Sequence, residues 1–219
     1  RDWNGMLSLD PEDDVYIDRN QVTITEGEGF ANDFFSQGAP VPHVREQNIE
    51  FNATTLKPDT RHYAYWSGTD MIDENNYIIP KLLEVTPVSG SFQIGETVSG
   101  TNIRFRLATP NHKAGPFNDP QIVYDVNPYS PNVGLSSSYS ETSSVLNVDC
   151  ASLNQKSDGN FFGRVSTGIR LVGETSGAQA DIADIRLVTD DLGTVQGCYY
   201  IPPDTFRDGT HSSLITQVK

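Results

Sequence analysis

Residues 48–68 constrain the fold more than any other stretch. Ile49, Phe51 and Ala53 stand two apart, with Glu50, Asn52 and Thr54 between them, which is the period of a strand with one buried face. Leu56-Lys57-Pro58-Asp59-Thr60 interrupts that period, because Pro58 has no amide hydrogen to give a ladder and Asp59 favours a turn. Arg61-His62-Tyr63-Ala64-Tyr65-Trp66 then resumes in extended, aromatic-rich chemistry that packs well on a pleated face, and Gly68 closes the run. These residues predict two strands joined by a corner whose Leu56 plugs the edge of a core.

The rest of the chain keeps the same character. Hydrophobic residues make up only 36%, while glycine (18) and proline (13) are plentiful, a mixture that suits short strands and tight turns. Further strands are expected at residues 15–17, 22–24, 77–80, 82–85, 145–148, 160–165, 180–188, 194–201 and 213–218, and no helical period longer than two turns is found. Asp190-Asp191-Leu192-Gly193 predicts a hairpin turn. Two segments share an apolar strand, then Gly-Glu-Thr, then a small residue and Gly: Phe92 and Ile94 alternating into Gly95-Glu96-Thr97, and residues 168–178 with Gly173-Glu174-Thr175. They read as equivalent hairpins of one β domain or as two copies of a small motif. The expected class is all-β, with Ig-like or β-sandwich modules, long loops and little helix. The expected division is an N-terminal arm (1–43), the strands around the corner (44–86) and a second β-rich domain (87–219).

Charge and motifs narrow the function. Lys+Arg 15 against Asp+Glu 29 gives a net charge of −14, so nucleic acid phosphates and anionic membrane surfaces are repelled. No apolar run approaches the ~18 residues of a membrane span. The opening Arg1-Asp2-Trp3-Asn4-Gly5 has no apolar stretch of a signal peptide, and a start at Arg points to a cleaved polypeptide or a segment of a longer one. Cys150 and Cys198 allow one bridge at most, and both lie in strand-like runs as small hydrophobes. His43, His62, His112 and His211 stand singly, without zinc-site spacing. Asp10-Pro11-Glu12-Asp13-Asp14 lacks the spacing of a calcium loop and reads as a solvated turn. There is no Gly-x-Ser-x-Gly elbow and no phosphate-binding Gly-Lys-Ser/Thr loop. No catalytic residue, metal or cofactor is therefore expected. Asn52-Ala53-Thr54 matches a glycosylation acceptor but sits in a predicted strand. The proline-rich loops at 111–120 and 127–131, the Ser/Thr-rich run 136–144, and the Phe34-Phe35 anchor of an earlier loop look ready to lie against a partner. Tyr63, Tyr65, Trp66, Tyr129 and Tyr139 are the aromatics that would stack on sugar rings or meet another subunit.

Two resemblances sharpen this. The Leu56-x-Pro58-x-Thr60 spacing resembles the corner of fibronectin-type and other Ig-like sandwiches, which place Tyr two residues after the Thr. Here that position is His62, and the Tyr arrives at Tyr63. Over a longer span, Arg45-Glu46-Gln47-Asn48-Ile49-Glu50-Phe51, then Leu56-Lys57-Pro58-Asp59-Thr60-Arg61-His62-Tyr63, then Tyr65-Trp66-Ser67-Gly68, resembles modules of large virion proteins from contractile-tailed phages, especially cyanophages. Pro80-Lys81-Leu82-Leu83-Glu84, residues 91–97, Asn111-His112-Lys113-Ala114-Gly115-Pro116 and the tail from Gly209 to Thr216 are similar in the same order, so the likeness spans most of 44–218. The departures are a missing Asp before Gly68, His211 for an Arg, and Leu214. The resemblance implies a non-enzymatic building block of a tail, baseplate or fibre, located in the virion. It would assemble with copies of itself (a trimer or higher) and with other virion proteins, with no nucleic acid and no membrane insertion. Ile49, Phe51, Leu56, Pro58, Thr60, Arg61 and Tyr63 would be the structural corner, with Arg45 and Arg61 in ion pairs. The alternative is a host-surface adhesin or carbohydrate-binding module that uses Tyr65, Trp66, Tyr129 and Tyr139 against a host-surface glycan.

Overall fold

The structure, a computed structural model, describes residues 3–7, 43–72, 76–113, 122–154 and 161–219. The strands expected at 15–17 and 22–24, the acidic run 10–14 and the Phe34-Phe35 anchor lie outside them. The described chain is all-β, with a single 3-10 turn at Cys150–Asn154.

Two sheets form a sandwich. In one, β2 (Gln47–Ala53), β16 (Val195–Ile201) and β5 (Ile78–Pro80) lie in that order. In the other the order is β1 (Trp3–Leu7), β17 (His211–Thr216), β3 (Arg61–Trp66) and β15 (Leu187–Val188), with β4 (Thr69–Asp70) paired onto β3. All pairings are antiparallel. The alternation expected for residues 49–53 sends Phe51 and Ala53 into the core, and the alternation of β3 does the same for His62, Ala64 and Trp66. Between the sheets the Tyr199 ring lies 4.8 Å from Phe51 and 5.2 Å from Trp66. Its hydroxyl meets Ser213 Oγ at 2.7 Å, so this buried phenol is satisfied by the facing sheet.

A third sheet is inserted into this sandwich between Pro80 and Leu187. Its order is β11 (Val145–Asn147), β6 (Leu82–Ser89), β14 (Gln179–Asp184), β13 (Arg170–Gly173), β7 (Thr97–Gly100), β8 (Ile103–Arg106) and β12 (Phe162–Gly163). It curls until its two sides meet. Leu107 bridges Val148, Ala108 N donates to Asn147 O at 2.8 Å, and Asp149 N donates to Arg106 O at 2.9 Å. Six strands thus close into a barrel, which removes the exposed edges an open sheet would carry. Leu83, Val98, Phe105, Leu146, Leu171 and Ile182 fill it. Outside it, the hairpin of β9 (Val126–Asn127) and β10 (Ser130–Gly134) covers Leu82 and Val145 with Tyr124.

The boundary expected at 86/87 falls inside β6, and it needs correcting on the pairings. The strands of 44–80 find their partners at 187–216, and one continuous apolar core runs through both sheet systems. The composition change at 86–91 covers the end of β6 and the turn after it, not a break in the sheets.

The two Gly-Glu-Thr segments are not equivalent hairpins. Residues 91–93 are not strand, and Ile94 is exposed beside a turn at Gly95 (φ 79°), whereas Gly173-Glu174-Thr175 forms the turn between β13 and β14. The two segments meet in space instead. Glu96 is buried, and its carboxylate accepts from Gln93 N at 2.6 Å, Ser176 N at 3.0 Å, Thr175 N at 3.3 Å and Ser176 Oγ at 2.9 Å. Glu174 stays at the surface, where Arg104 holds it through two bonds of 2.7 and 2.8 Å. Glu96→Ala strands three backbone amides, and the expected loss is about 3 kcal/mol in chemical denaturation, against a smaller loss for Glu96→Gln.

Candidate functional site

The corner is closed by groups that its linear motif does not contain. Thr189 Oγ1 donates to Lys57 O at 2.7 Å and accepts from Thr60 N at 3.0 Å. Leu56 N donates to Gly193 O at 3.0 Å and Asp59 N to Asp190 O at 3.3 Å. Asp190 is itself buried, and its Oδ1 accepts from Thr194 N at 2.7 Å and Leu192 N at 3.0 Å, which forms the expected hairpin turn. Its Oδ2 faces Lys113 Nζ at 2.9 Å. Burial opposes the Lys113 charge, but Asp190 and then Asp191 outweigh it and raise the ammonium pKa. Leu56 is buried, as expected of a plug, while Pro58 is exposed and Thr60 half-buried. Arg61 stands over the Tyr63 ring, 5.2 Å from its centroid.

His62 explains the departure from the tyrosine corner. It is fully buried, and its Nδ1 donates back to Thr60 O at 2.9 Å. The imidazole therefore makes a bond back to the corner from the position where fibronectin-type sandwiches have a phenol. Tyr63, one residue later, is on the outer face of β3.

The four aromatics proposed as contacts are not brought together. Trp66 has 0% exposure and stacks on His211 at 5.5 Å as well as on Tyr199. Tyr139 is buried, with its hydroxyl donating to Ala108 O at 2.7 Å and accepting from Asn147 N at 3.1 Å. Both are corrected from contact residues to core residues: strand alternation turns Trp66 inward, and the Ser/Thr-rich run folds its one aromatic back against Phe92. Tyr129 is half-buried under Arg186, whose guanidinium lies 5.3 Å from the ring centroid. Its hydroxyl reaches the carbonyl oxygens of Leu82 and Arg186, so it fastens the β9–β10 hairpin to the barrel. Burial raises the Tyr129 and Tyr139 hydroxyls well above the ordinary phenol range and pushes Tyr199 up to about 12. Of these four, Tyr65 is the one that faces outward, on the same face of β3 as Tyr63 and opposite Leu214 in the register, lining a shallow cleft of about 540 Å³ with Gly68, Ser212, Thr216 and Val218.

A second open cleft of about 660 Å³ went unread in the sequence. Glu46, Asn102, Arg104, Phe162, Arg164 and Tyr200 contribute to it. The Phe162 and Tyr200 rings are 5.8 Å apart, the Tyr200 hydroxyl donates to the Glu46 carboxylate, and Arg164 lies 5.9 Å from the Tyr77 centroid. Burial, then the Glu46 contact, push the Tyr200 hydroxyl up to about 12. These residues come from four separated segments, and only the doublet Tyr199-Tyr200 before Pro202-Pro203 hinted at them. Beneath the cleft, Asn48 of β2 exchanges two bonds with Gly163, at 2.8 and 3.0 Å, bolting the sandwich to β12.

At the other junction, Lys81 joins β5 to β6. It is buried, with its Nζ 3.4 Å from Val148 O and its charge acting on Asp149. Cys150 and Cys198 are both free and buried here, the Cys198 thiol donating to Cys150 O at 3.7 Å, with burial raising its pKa. Among the described residues, no three His, Cys, Asp or Glu side chains converge as a cation site. Compared with known families, curated proteins and solved structures, the chain matches none.

Two outcomes follow from this geometry. Gly193 has φ 71°, and a Cβ on it would fall 2.1 Å from Leu56 O. Gly193→Ala should therefore cost about 3 kcal/mol in denaturant unfolding, whereas Gly177→Ala, at φ 70° with nothing nearby, should cost only about 1 kcal/mol. Asp149 has its pKa raised by burial, with Lys81 and Arg106 opposing. The folded state thus retains a proton that the unfolded chain releases, and this group's contribution improves as pH falls through its folded pKa. Measured by urea midpoints at pH 7 and pH 4, the stability of the wild type relative to Asp149→Asn should rise on acidification.

Proposed function

We propose that this chain is a structural component of a tailed-phage virion, a tail, baseplate or fibre building block that acts through protein–protein assembly. The observation that supports this reading best is the placement of the residues that carry the family resemblance. Phe51, Leu56, His62 and Trp66 are spent on the sandwich core and corner, and none of them is presented to a substrate. What is left facing outward is a strand face around Tyr65 and Leu214, an arrangement suited to packing against another protein. Copies of the chain itself and neighbouring virion proteins are the partners this reading names, with the particle as its location.

A second reading, a host-surface adhesin, is favoured by the cleft at Phe162 and Tyr200, where aromatic rings adjoin Arg164, Asn102 and Glu46. Rings flanked by polar side chains suit a sugar.

Mass spectrometry of purified tailed-phage particles, with light scattering on the isolated chain, tests the first reading. The chain is expected at fixed stoichiometry in the particle and as a symmetric oligomer alone. A stable monomer absent from particles, with glycan binding lost in Tyr200→Ala, supports the adhesin instead.

A further inference from the structure

We propose that Lys113 and Asp190 become joined by an isopeptide bond, which ties the loop after β8 covalently to the corner of the sandwich. The bond stands or falls independently of the building-block reading.

The groups that a condensation needs meet at this pair. The nucleophile is close: Lys113 Nζ lies 2.9 Å from Asp190 Oδ2, and so within roughly 4 Å of Cγ, one carbon–oxygen bond further on. The carbonyl is polarised, because Oδ1 accepts from Thr194 N at 2.7 Å and Leu192 N at 3.0 Å. Those are two backbone donors aimed where an oxyanion would form. The oxygen that would leave is not held: Oδ2 is buried and accepts no hydrogen bond from a described residue. A proton carrier adjoins, since Asp191 Oδ1 is 3.4 Å from the same Nζ while its side chain is 52% exposed and in touch with water.

The surroundings favour the amide over the ion pair. Only 11% of the Lys113 side chain and 3% of the Asp190 side chain are exposed, and the Tyr124 ring centroid lies 5.2 Å from Nζ. A buried ion pair recovers its desolvation cost only when hydrogen bonds satisfy the remaining lone pairs, and Oδ2 lacks one. An amide removes both charges and keeps Oδ1 on its two donors. The backbones on either side are fixed. Lys113 N donates to Ile122 O at 2.7 Å, and Asn147 Nδ2 holds His112 O at 2.7 Å. Asp190 N donates to Thr194 O, and Asp190 O accepts from Gly193 N, both at 3.0 Å. Reacting groups held in place this way have an effective concentration that no free amine and acid reach.

The step balances without an oxidant, a metal or an added reactant. A proton passes from the Lys113 ammonium to Oδ2, which leaves a neutral pair. The Nζ lone pair attacks Cγ, and negative charge falls on Oδ1 between the Leu192 and Thr194 amides. Asp191 takes a second proton from the nitrogen and delivers it to Oδ2. The Cγ–Oδ2 bond breaks, water leaves, and one hydrogen stays on the new amide nitrogen.

Intact-mass measurement and tryptic mapping of the full-length chain, denatured and reduced, decide this. The expected mass is one water below that of the sequence. A branched peptide should join the segment of Lys113 to that of Asp190, with no cleavage after Lys113. Lys113→Arg keeps the cation but cannot form the bond, so it should show its full sequence mass and run more slowly than wild type on denaturing gels. Asp191→Asn should keep the β circular dichroism and form the branched peptide several-fold more slowly. A wild type of full sequence mass, cleaved normally after Lys113, overturns the proposal without needing any variant to fold. A water deficit that maps to Asp158 or Asp208, each followed by glycine, is a succinimide and overturns it as well. A branched peptide that forms equally fast in Asp191→Asn overturns the role given to Asp191.

Discussion

The contact of Tyr199 with Phe51, Trp66 and Ser213 holds the two halves of the chain together. Tyr199 belongs to β16, near the C-terminal end of the sequence, yet its ring rests on strands formed before residue 67, and its hydroxyl reaches across to β17. A phenol in this position does two things at once: the ring buries apolar area against two aromatics, and the hydroxyl is itself satisfied by Ser213. The sandwich cannot exist until the last third of the chain has returned, and the barrel between Pro80 and Leu187 is an insertion that the return must accommodate. Asn48, Lys81 and Asp190 each fasten one point of that accommodation.

Much of this was legible and some was not, for identifiable reasons. Period-2 alternation is local, so it exposed β2, β3 and the hairpin at 190–193. It also exposed the buried role of Leu56, because a plug needs only an apolar residue beside a turn. Pairing is not local. Nothing in residues 44–86 indicates that their partners lie beyond 187, so the composition change points to a boundary that the sheets do not have. The clasp by Thr189 and Gly193, the bolt of Asn48 to Gly163 and the cap of Glu96 on residues 175–176 share this trait, since each joins positions far apart in sequence. The aromatics failed as surface markers for a related reason. Tyrosine and tryptophan suit interfaces and cores equally, and only the pleat decides: in β3 it turned Trp66 inward and left Tyr65 outside.

The division of labour within the sequence is consistent. Polar side chains that would be natural candidates for chemistry, among them His62, Glu96, Asp190 and Asn147, are buried and committed to backbone groups: Asn147 Nδ2 alone reaches Thr109 O, Pro110 O and His112 O at 2.7 to 3.1 Å. Such networks fix one arrangement of loops over a core and give a rigid body. The outward faces of β3 and β17 and the cleft at Tyr200 lie outside these networks.

The central claim is that residues 44–80 and 187–216 form one cooperative unit. Native-state hydrogen exchange read by mass spectrometry tests it most directly, because amides that share a sheet open together. The account predicts the same opening free energy for peptides covering β2 and β3 as for those covering β16 and β17. Peptides from 44–80 that exchange at a markedly lower free energy, while 187–216 stays protected with the barrel, would contradict it.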